Sequence, residues 1–203
     1  MSANNSASIV ESYISIRNRL LSVFGDDLRT KTVVVTSPSS GEGKTTTAIN
    51  MAIAFSQLGK RVLLIDADMR RGTLLKRMRL SSMFGLSDLL AGRCTLDQAI
   101  VSADSALDVI SSGKSVYDSE KLLSSEEYEN LISGVKLAYD YIFIDSPSIG
   151  ECNDTFYTAK NSNGVVLVLR EGLSAYKKID AALHNLSSSN IPVLGTILNA
   201  TKK

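Results

Sequence analysis

Residues 31–46 have the sequence Lys31-Thr32-Val33-Val34-Val35-Thr36-Ser37-Pro38-Ser39-Ser40-Gly41-Glu42-Gly43-Lys44-Thr45-Thr46, and this stretch decides the fold. Its first six residues form an apolar, β-branched run of strand length. A helical pattern covers residues 45–58 and ends at Gly59. A loop with two glycines joins the two elements. The order strand, loop, helix is typical of a loop that holds phosphates.

The chemistry of this loop comes from its backbone and from three side chains. Gly41 and Gly43 let the chain curl so that successive N–H groups point inward, and the following helix adds the positive end of its dipole. Lys44 can reach the β- and γ-phosphates, Thr45 is placed to ligate Mg²⁺, and Thr46 can reach the α-phosphate. We therefore expect nucleotide binding by Ser40, Gly41, Glu42, Gly43, Lys44, Thr45 and Thr46.

The rest of the chain alternates between strand and helix patterns. Apolar runs predict further strands at residues 61–66, 107–110, 141–145, 164–169 and 193–198. Helical patterns cover residues 8–24, 85–92, 95–101, 124–138 and 175–186. This alternation predicts an α/β fold, doubly wound, with a mostly parallel sheet covered on both faces. For 203 residues we expect one domain over residues 1–203, with residues 1–30 as an N-terminal helical extension.

Composition excludes several classes of protein. The net charge of +1 does not favour a nucleic-acid partner, and Cys94 and Cys152 are far apart without metal-like spacing, which favours a reducing cytoplasm. No apolar run approaches the roughly 18 residues of a membrane span.

Basic residues dominate 60–79 and acidic residues dominate 97–129, which indicates either a docking surface or solvated helix faces. We expect the lone His184 to be structural or solvent-facing.

Three aspartates follow predicted strands. Asp66 and Asp68 close the second strand, where alternate residues point the same way, and Asp145 closes another apolar strand. Carboxylate and hydroxyl oxygens are hard ligands that suit Mg²⁺. We assign Asp66 as the base that deprotonates a nucleophile, and Thr45, Asp68 and Asp145 as the metal-side ligands. Arg70 continues the series and could meet a phosphate or pair with a carboxylate.

These residues resemble the three motifs of the bacterial protein-tyrosine kinases (BY-kinases) of capsule and exopolysaccharide synthesis, within the ParA/MinD-like superfamily of P-loop NTPases. Residues 37–46 resemble a Walker A loop, residues 63–70 a Walker A′ motif ending in Asp-x-Asp-x-Arg, and residues 142–147 a Walker B motif. Asn199 is similar to the residue that contacts adenine in this superfamily. Agreement at residues 85–92, 122–125, 139–141 and 193–199 extends the resemblance over nearly the whole chain.

The resemblance implies a function, cofactors and partners. It implies ATP and Mg²⁺ as cofactors and transfer of a phosphoryl group to tyrosines of proteins, with Lys44, Asp66, Asp68 and Arg70 as catalytic residues. It also implies a cytoplasmic kinase chain of the two-chain type, peripheral to the inner face of the cell membrane. Activation would come from the cytoplasmic tail of a transmembrane polysaccharide co-polymerase adaptor, and the chain would form a homo-oligomer.

The first part of the chain departs once from the family pattern, in its helix, and once from the common phosphate-loop pattern. The family's N-terminal helix usually carries Glu-x-x-Arg-x-x-Arg, which is used for ring assembly. Here Glu11 and Arg17 are present as candidate oligomerisation residues, but Ile14 replaces the middle arginine. Pro38 stands where the common loop pattern begins with glycine. We therefore expect a stiffer entry to the loop and an altered ring contact.

The later part of the chain departs from the family pattern at three places. Ser148 follows Pro147 where the family usually has a second proline, and residues 116–120 replace a proline-rich segment. Members usually end in a tyrosine-rich tail that neighbouring subunits phosphorylate. This sequence stops at Lys203 with Tyr176 as its last tyrosine, so we expect phosphorylation of such a tail to be unavailable.

Two other functions agree with the same residues. A ParA/MinD-like positioning ATPase shares the fold, but such proteins carry an extra lysine early in the loop, where this chain has Ser39. A nucleotide-binding regulator of the polysaccharide machinery would bind ATP without transfer to tyrosine. The complete set of Lys44, Thr45 and the three aspartates favours transfer, with ATP hydrolysis as the lesser activity.

Overall fold

The structure, a computed structural model, describes residues 3–25, 27 and 29–200, with side chains from residue 8 onward. The helices are α1 (Ala3–Phe24), α2 (Lys44–Ser56), α3 (Leu74–Met78), α4 (Leu86–Leu90), α5 (Leu96–Ala99), α6 (Ser119–Leu123), α7 (Glu126–Val135), α8 (Asp154–Lys160) and α9 (Tyr176–Ser188). The strands are β1 (Lys31–Thr36), β2 (Val62–Asp66), β3 (Ile100–Asp104), β4 (Leu107–Ile110), β5 (Tyr141–Asp145), β6 (Gly164–Arg170) and β7 (Val193–Asn199). Within these described residues, every helix is too short or too polar to cross a membrane.

The seven strands form one sheet in the order β3-β4-β2-β5-β1-β6-β7. All neighbouring pairs are parallel except β3 with β4, which is antiparallel. Strands β1 and β2 are buried along their whole length, as strands covered on both faces must be. The predicted α/β, doubly wound class is therefore confirmed. Because parallel strands end at one edge, the loops after β1, β2 and β5 meet in one crevice.

Each face of the sheet has its own hydrophobic core. On one face, α2 packs against β5, with the Phe55 ring centroid 4.5 Å from that of Tyr141 and 5.1 Å from that of Phe143. The same cluster includes Leu20, Val33, Val35, Met51 and Leu64. The opposite cluster includes Val34, Leu63, Ile65, Tyr128, Ile132, Ile144 and Leu186, from the strands and from helices α7 and α9. Alternation along β1 sends successive valines to opposite cores.

The predicted N-terminal helix is confirmed and lies against the first core. Leu20 is buried, and the Arg17 Nη1 atom donates a hydrogen bond to the carbonyl oxygen of Ala54 at 2.8 Å. Arg17 is therefore engaged within its own chain, whereas Glu11 is exposed. Their proposed role in oligomerisation stays a prediction.

Two predicted helices have other bounds in the structure, and some short elements were not predicted. The helix predicted over 95–101 ends at Ala99, because Ile100 and Val101 begin β3 and pair with Ile110 and Val109. Such a short apolar run cannot be distinguished from a helix by periodicity. The helix predicted over 124–138 begins only after Ser125, whose hydroxyl accepts the Tyr128 N–H as an N-cap, and it ends at Val135. Strand β3 and the short helices α3, α6 and α8 were not predicted.

Candidate nucleotide-binding and phosphoryl-transfer site

The phosphate loop lies between β1 and α2 and depends on two glycines. Gly41 and Gly43 have φ values of +80° and +101°, a region that side chains rarely adopt. A Cβ atom on Gly43 would also collide with the side chain of Asn199. The Asn199 Nδ2 atom donates a hydrogen bond to the carbonyl oxygen of Glu42 at 3.0 Å. The last residue of β7 therefore touches the phosphate loop, while its contact with adenine stays a prediction.

The side chain of Glu42 turns away from the phosphate side of the loop. Its buried carboxylate accepts hydrogen bonds from the Ser39 N–H at 3.0 Å and from the Ser174 hydroxyl at 2.6 Å. Beside it, the Arg170 Nη1 atom donates to the carbonyl oxygen of Gly41 at 3.0 Å. Arg170 and the loop after β6 thus stabilise the conformation of the phosphate loop. Glu42 can contribute to nucleotide binding only through its backbone.

Lys44 and the two threonines occupy the first turn of α2. The Lys44 Nζ atom donates a hydrogen bond to the Ser148 hydroxyl at 2.9 Å, and both side chains are buried. The Thr46 hydroxyl is exposed and accepts a hydrogen bond from the Arg77 Nη1 atom at 3.3 Å. Thr45 lies close enough to Asp145 to affect its ionisation. The structure therefore brings the loop cation next to the segment that follows β5.

Asp66 and Asp145 lie side by side at the ends of the parallel strands β2 and β5, where they are register partners. Both are almost fully buried. The carboxylate of Asp66 accepts the backbone N–H groups of Asp68 at 3.1 Å and Leu74 at 3.3 Å. Burial, and then the neighbouring charges of Asp145 and Asp68, raise the pKa of Asp66 well above its ordinary value. Such a carboxylate takes up a proton more readily than an exposed one.

The same environment acts on Asp145. Burial raises the pKa of Asp145 to about 7, against the opposing effects of the Thr45 hydroxyl and the Lys44 ammonium. Its Oδ1 atom is buried and has no hydrogen-bond partner among the described residues. Burying two adjacent carboxylates, one of which has an oxygen without a hydrogen-bond partner, costs free energy. A bound cation would offset this cost.

The candidate ligand residues suit Mg²⁺ better than a metal ion that is held by protein side chains alone. Within the part of the chain that the structure describes, no three or more His, Cys, Asp or Glu side chains group closely enough to hold a metal alone. Mg²⁺ commonly takes one or two protein oxygens and completes its shell with water and phosphate. Thr45 and the unpaired Asp145 oxygen suit this, with Asp68 at the rim, where its carboxylate accepts the Arg71 N–H at 3.2 Å.

Arg70 takes the second of its two predicted alternatives, the pairing with a carboxylate. Its Nη2 atom lies 3.8 Å from the Oδ1 atom of Asp154, and its Nε atom donates to the Ser119 hydroxyl at 3.3 Å. The Ser119 hydroxyl in turn donates to Asp154 Oδ2 at 2.7 Å. Arg70 therefore links the loop after β2 to α6 and α8. Asp154 was missed from the sequence, since no local pattern connects it with Arg70.

Arg71 is a second residue that sequence reasoning missed. Its Nη1 atom donates to the Ser40 hydroxyl, and its Nη2 atom forms an ion pair with Glu151 at 3.1 Å. It therefore joins the loops that follow β1, β2 and β5. In the sequence Arg71 is one member of a basic stretch, so nothing distinguishes it from solvated neighbours.

Comparisons with known proteins agree with this geometry. Residues 30–189 match the family described as AAA domain. The tyrosine-protein kinase YwqD of Bacillus subtilis is 35% identical over 193 residues, which cover 95% of this chain and 81% of that protein. The tyrosine-protein kinase CpsD of Streptococcus pneumoniae is 31% identical, covering 93% of this chain and 83% of that protein.

A solved structure is similar over nearly the whole chain. The kinase domain of the Escherichia coli tyrosine kinase ETK superposes with a TM-score of 0.93 at 27% identity, covering 99% of this chain and 79% of that one. The sequence comparison and the structure comparison thus both point to tyrosine kinases. The family expected from the three motifs is confirmed: this chain belongs to the bacterial protein-tyrosine kinases.

Proposed function

We propose that the protein transfers the γ-phosphoryl group of ATP to tyrosine residues of proteins, in the regulation of capsular or exopolysaccharide synthesis and export. The observation that carries this proposal is the buried pair Asp66 and Asp145 beside Lys44. Phosphoryl transfer needs positioning and charge neutralisation more than covalent chemistry, and these groups supply both. The similarity to named tyrosine-protein kinases supports the choice of acceptor.

In the proposed reaction each residue has one task. The N–H groups of the loop and Lys44 bind the phosphates of ATP, and Asp66 accepts the proton of the tyrosine hydroxyl. The bond from the phenol oxygen to the γ-phosphorus forms, the bond from that phosphorus to the bridging oxygen breaks, and ADP leaves. Thr45, Asp68 and Asp145 would hold Mg²⁺, which neutralises phosphate charge when bound.

The proposal extends to partners and location. We propose that the chain acts at the inner face of the cell membrane, where the cytoplasmic tail of a polysaccharide co-polymerase adaptor activates it, and that it works as one domain and as a homo-oligomer. Support comes from the family and from the basic stretch 60–79, most of whose arginines and lysines are exposed. A basic surface suits an acidic partner segment.

The test combines labelled ATP, Mg²⁺, an adaptor-tail peptide and a tyrosine-rich peptide. We expect label on the peptide, at least a hundredfold loss with Asp66→Asn or Asp145→Asn, and full loss with excess EDTA. Asp180→Asn changes an exposed carboxylate on α9 and serves as the matched control. Binding or hydrolysis of ATP without label on tyrosine would refute the kinase proposal and leave the regulator or the ATPase.

A further inference from the structure

Helix α3 places one arginine beside the phosphate loop. Its first residue, Leu74, is buried in the same hydrophobic cluster as Ala48 and Met51 of α2. The Leu74 N–H also donates a hydrogen bond to the Asp66 carboxylate at 3.3 Å, which fixes the start of α3 to the site. Residues three apart lie on the same face of a helix. Arg77 therefore shares the face of Leu74 that is turned toward α2.

The guanidinium of Arg77 reaches the first turn of α2. Its Nη1 atom donates a hydrogen bond to the Thr46 hydroxyl at 3.3 Å. Burial raises the pKa of Asp145, and the positive charge of Arg77 is among the effects that oppose this rise. The guanidinium is therefore near both the residue expected at the α-phosphate and an expected Mg²⁺ ligand.

The charge of Arg77 has no carboxylate partner in the part of the chain that the structure describes. Arg70 and Arg71, on the preceding loop, lie 3.8 Å from Asp154 and 3.1 Å from Glu151, respectively. The hydrogen bond of Arg77, in contrast, goes to a neutral hydroxyl. Phosphate oxygens are strong acceptors for the forked donors of a guanidinium. Arg77 is thus held in place without being neutralised, which suits a phosphate.

Thr46 can act on the same anion as Arg77. In their contact the Thr46 oxygen accepts, and its own proton has no acceptor among the described residues. The first N–H groups of a helix such as α2 also lack partners within the helix. Two side-chain donors and the start of α2 therefore lie together where the sequence predicts the α-phosphate.

We propose that Arg77 binds the α-phosphate of the nucleotide jointly with Thr46. The inference rests on the nucleotide binding in the proposed kinase function and adds a charged ligand from outside the phosphate loop. Because ATP and ADP both carry an α-phosphate, Arg77 stabilises substrate and product alike. Either nucleotide thereby links α3, and the loop of Asp66 and Asp68 before it, to α2.

The experiment measures the affinity of the protein for ATP and for ADP, each with Mg²⁺, by calorimetry. Arg77→Ala removes the guanidinium, whereas Arg77→Lys keeps the charge without the forked geometry. Lys76→Ala removes an exposed charge from the same helix and is the matched control. Thr46→Ala, alone and combined with Arg77→Ala, distinguishes a direct contact from an effect through the hydroxyl. Urea unfolding checks that each variant is folded.

We expect Arg77→Ala to weaken the binding of ATP and ADP by the same factor, roughly 5- to 20-fold, because a charge-assisted hydrogen bond at a partly exposed site is lost. Arg77→Lys should restore part of this loss, and Lys76→Ala should change either affinity by less than about twofold. In the Thr46→Ala background, Arg77→Ala should weaken binding again.

Three results would overturn the inference: an unchanged affinity with Arg77→Ala, an equal loss with Lys76→Ala, or a loss for ATP without one for ADP. The absence of a further loss in the Thr46→Ala background would also overturn it, since Arg77 would then act only through Thr46. If the unmodified protein binds neither nucleotide, the proposed kinase function fails as well. If it binds both and Arg77→Ala has no effect, this inference fails alone.

Discussion

Replacement of Arg70 by alanine decides whether its guanidinium acts on substrate or holds the loop of Asp66 and Asp68 in place. Asp154 is fully buried, while the Arg70 side chain is 44% exposed and lies 3.8 Å away. Removing one partner costs about 3–5 kcal/mol for a buried ion pair, whereas exposed pairs contribute about 1 kcal/mol or less. For this half-exposed, long pair we expect Arg70→Ala to lower the free energy of unfolding by about 1–2 kcal/mol.

A double-mutant cycle measures how much of this effect passes through Asp154. Asp154→Asn keeps an oxygen that can accept from Ser119 and removes the charge. We expect a coupling free energy of about 1 kcal/mol between the two substitutions in urea unfolding. Arg93→Ala, which breaks the similarly half-exposed pair of Arg93 with buried Asp88 at 2.9 Å, calibrates the stability effect.

Kinase kinetics on the same four proteins give the second measurement. If Arg70 is a positioning residue, kcat falls with Arg70→Ala in the parent, falls to a similar level with Asp154→Asn alone, and changes little when the two are combined. An equal loss of kcat from Arg70→Ala in both backgrounds, without coupling in stability, would show that the guanidinium contacts the phosphates. That result would refute the argument from the ion pair.

Three further predictions concern single side chains. Ser148→Ala removes the hydrogen bond that Lys44 makes in the absence of ATP, and such a bond contributes about 0.5–1.5 kcal/mol. We therefore expect calorimetry to show that ATP binds roughly 2- to 10-fold tighter. Weaker binding would contradict this. Gly43→Ala should lower ATP affinity more than tenfold, because it adds a collision with Asn199 to the backbone strain, whereas Gly92→Ala has strain without a close neighbour and should leave affinity unchanged. The buried Tyr128 hydroxyl has no hydrogen-bond partner among the described residues, so Tyr128→Phe should raise the free energy of unfolding by up to ~1 kcal/mol, and a lower Tm would contradict this.

Local patterns in the sequence were sufficient to predict the fold and the candidate site in outline. Strands over residues 31–36, 107–110 and 141–145 were predicted with the bounds that the structure has. They are mostly apolar because strands in the interior of a parallel sheet are covered on both faces. The phosphate loop was predictable because its glycines, lysine and threonines are consecutive. Asp66 and Asp145 were predictable because each one ends an apolar strand, Asp68 follows two residues later, and parallel strands end at one edge.

Contacts between distant segments were decided only by the tertiary structure. Arg70 meets Asp154, Lys44 meets Ser148, and the Glu42 carboxylate meets Ser174, and the partners are 84 to 132 positions apart in the sequence. A hydrogen bond across such a separation leaves no periodicity in the sequence, since either partner alone has the pattern of an ordinary polar residue. The chain determined locally where the phosphates bind. That Asp66 and Asp145 lie next to each other depends on strand order, which exists only once the sheet has formed.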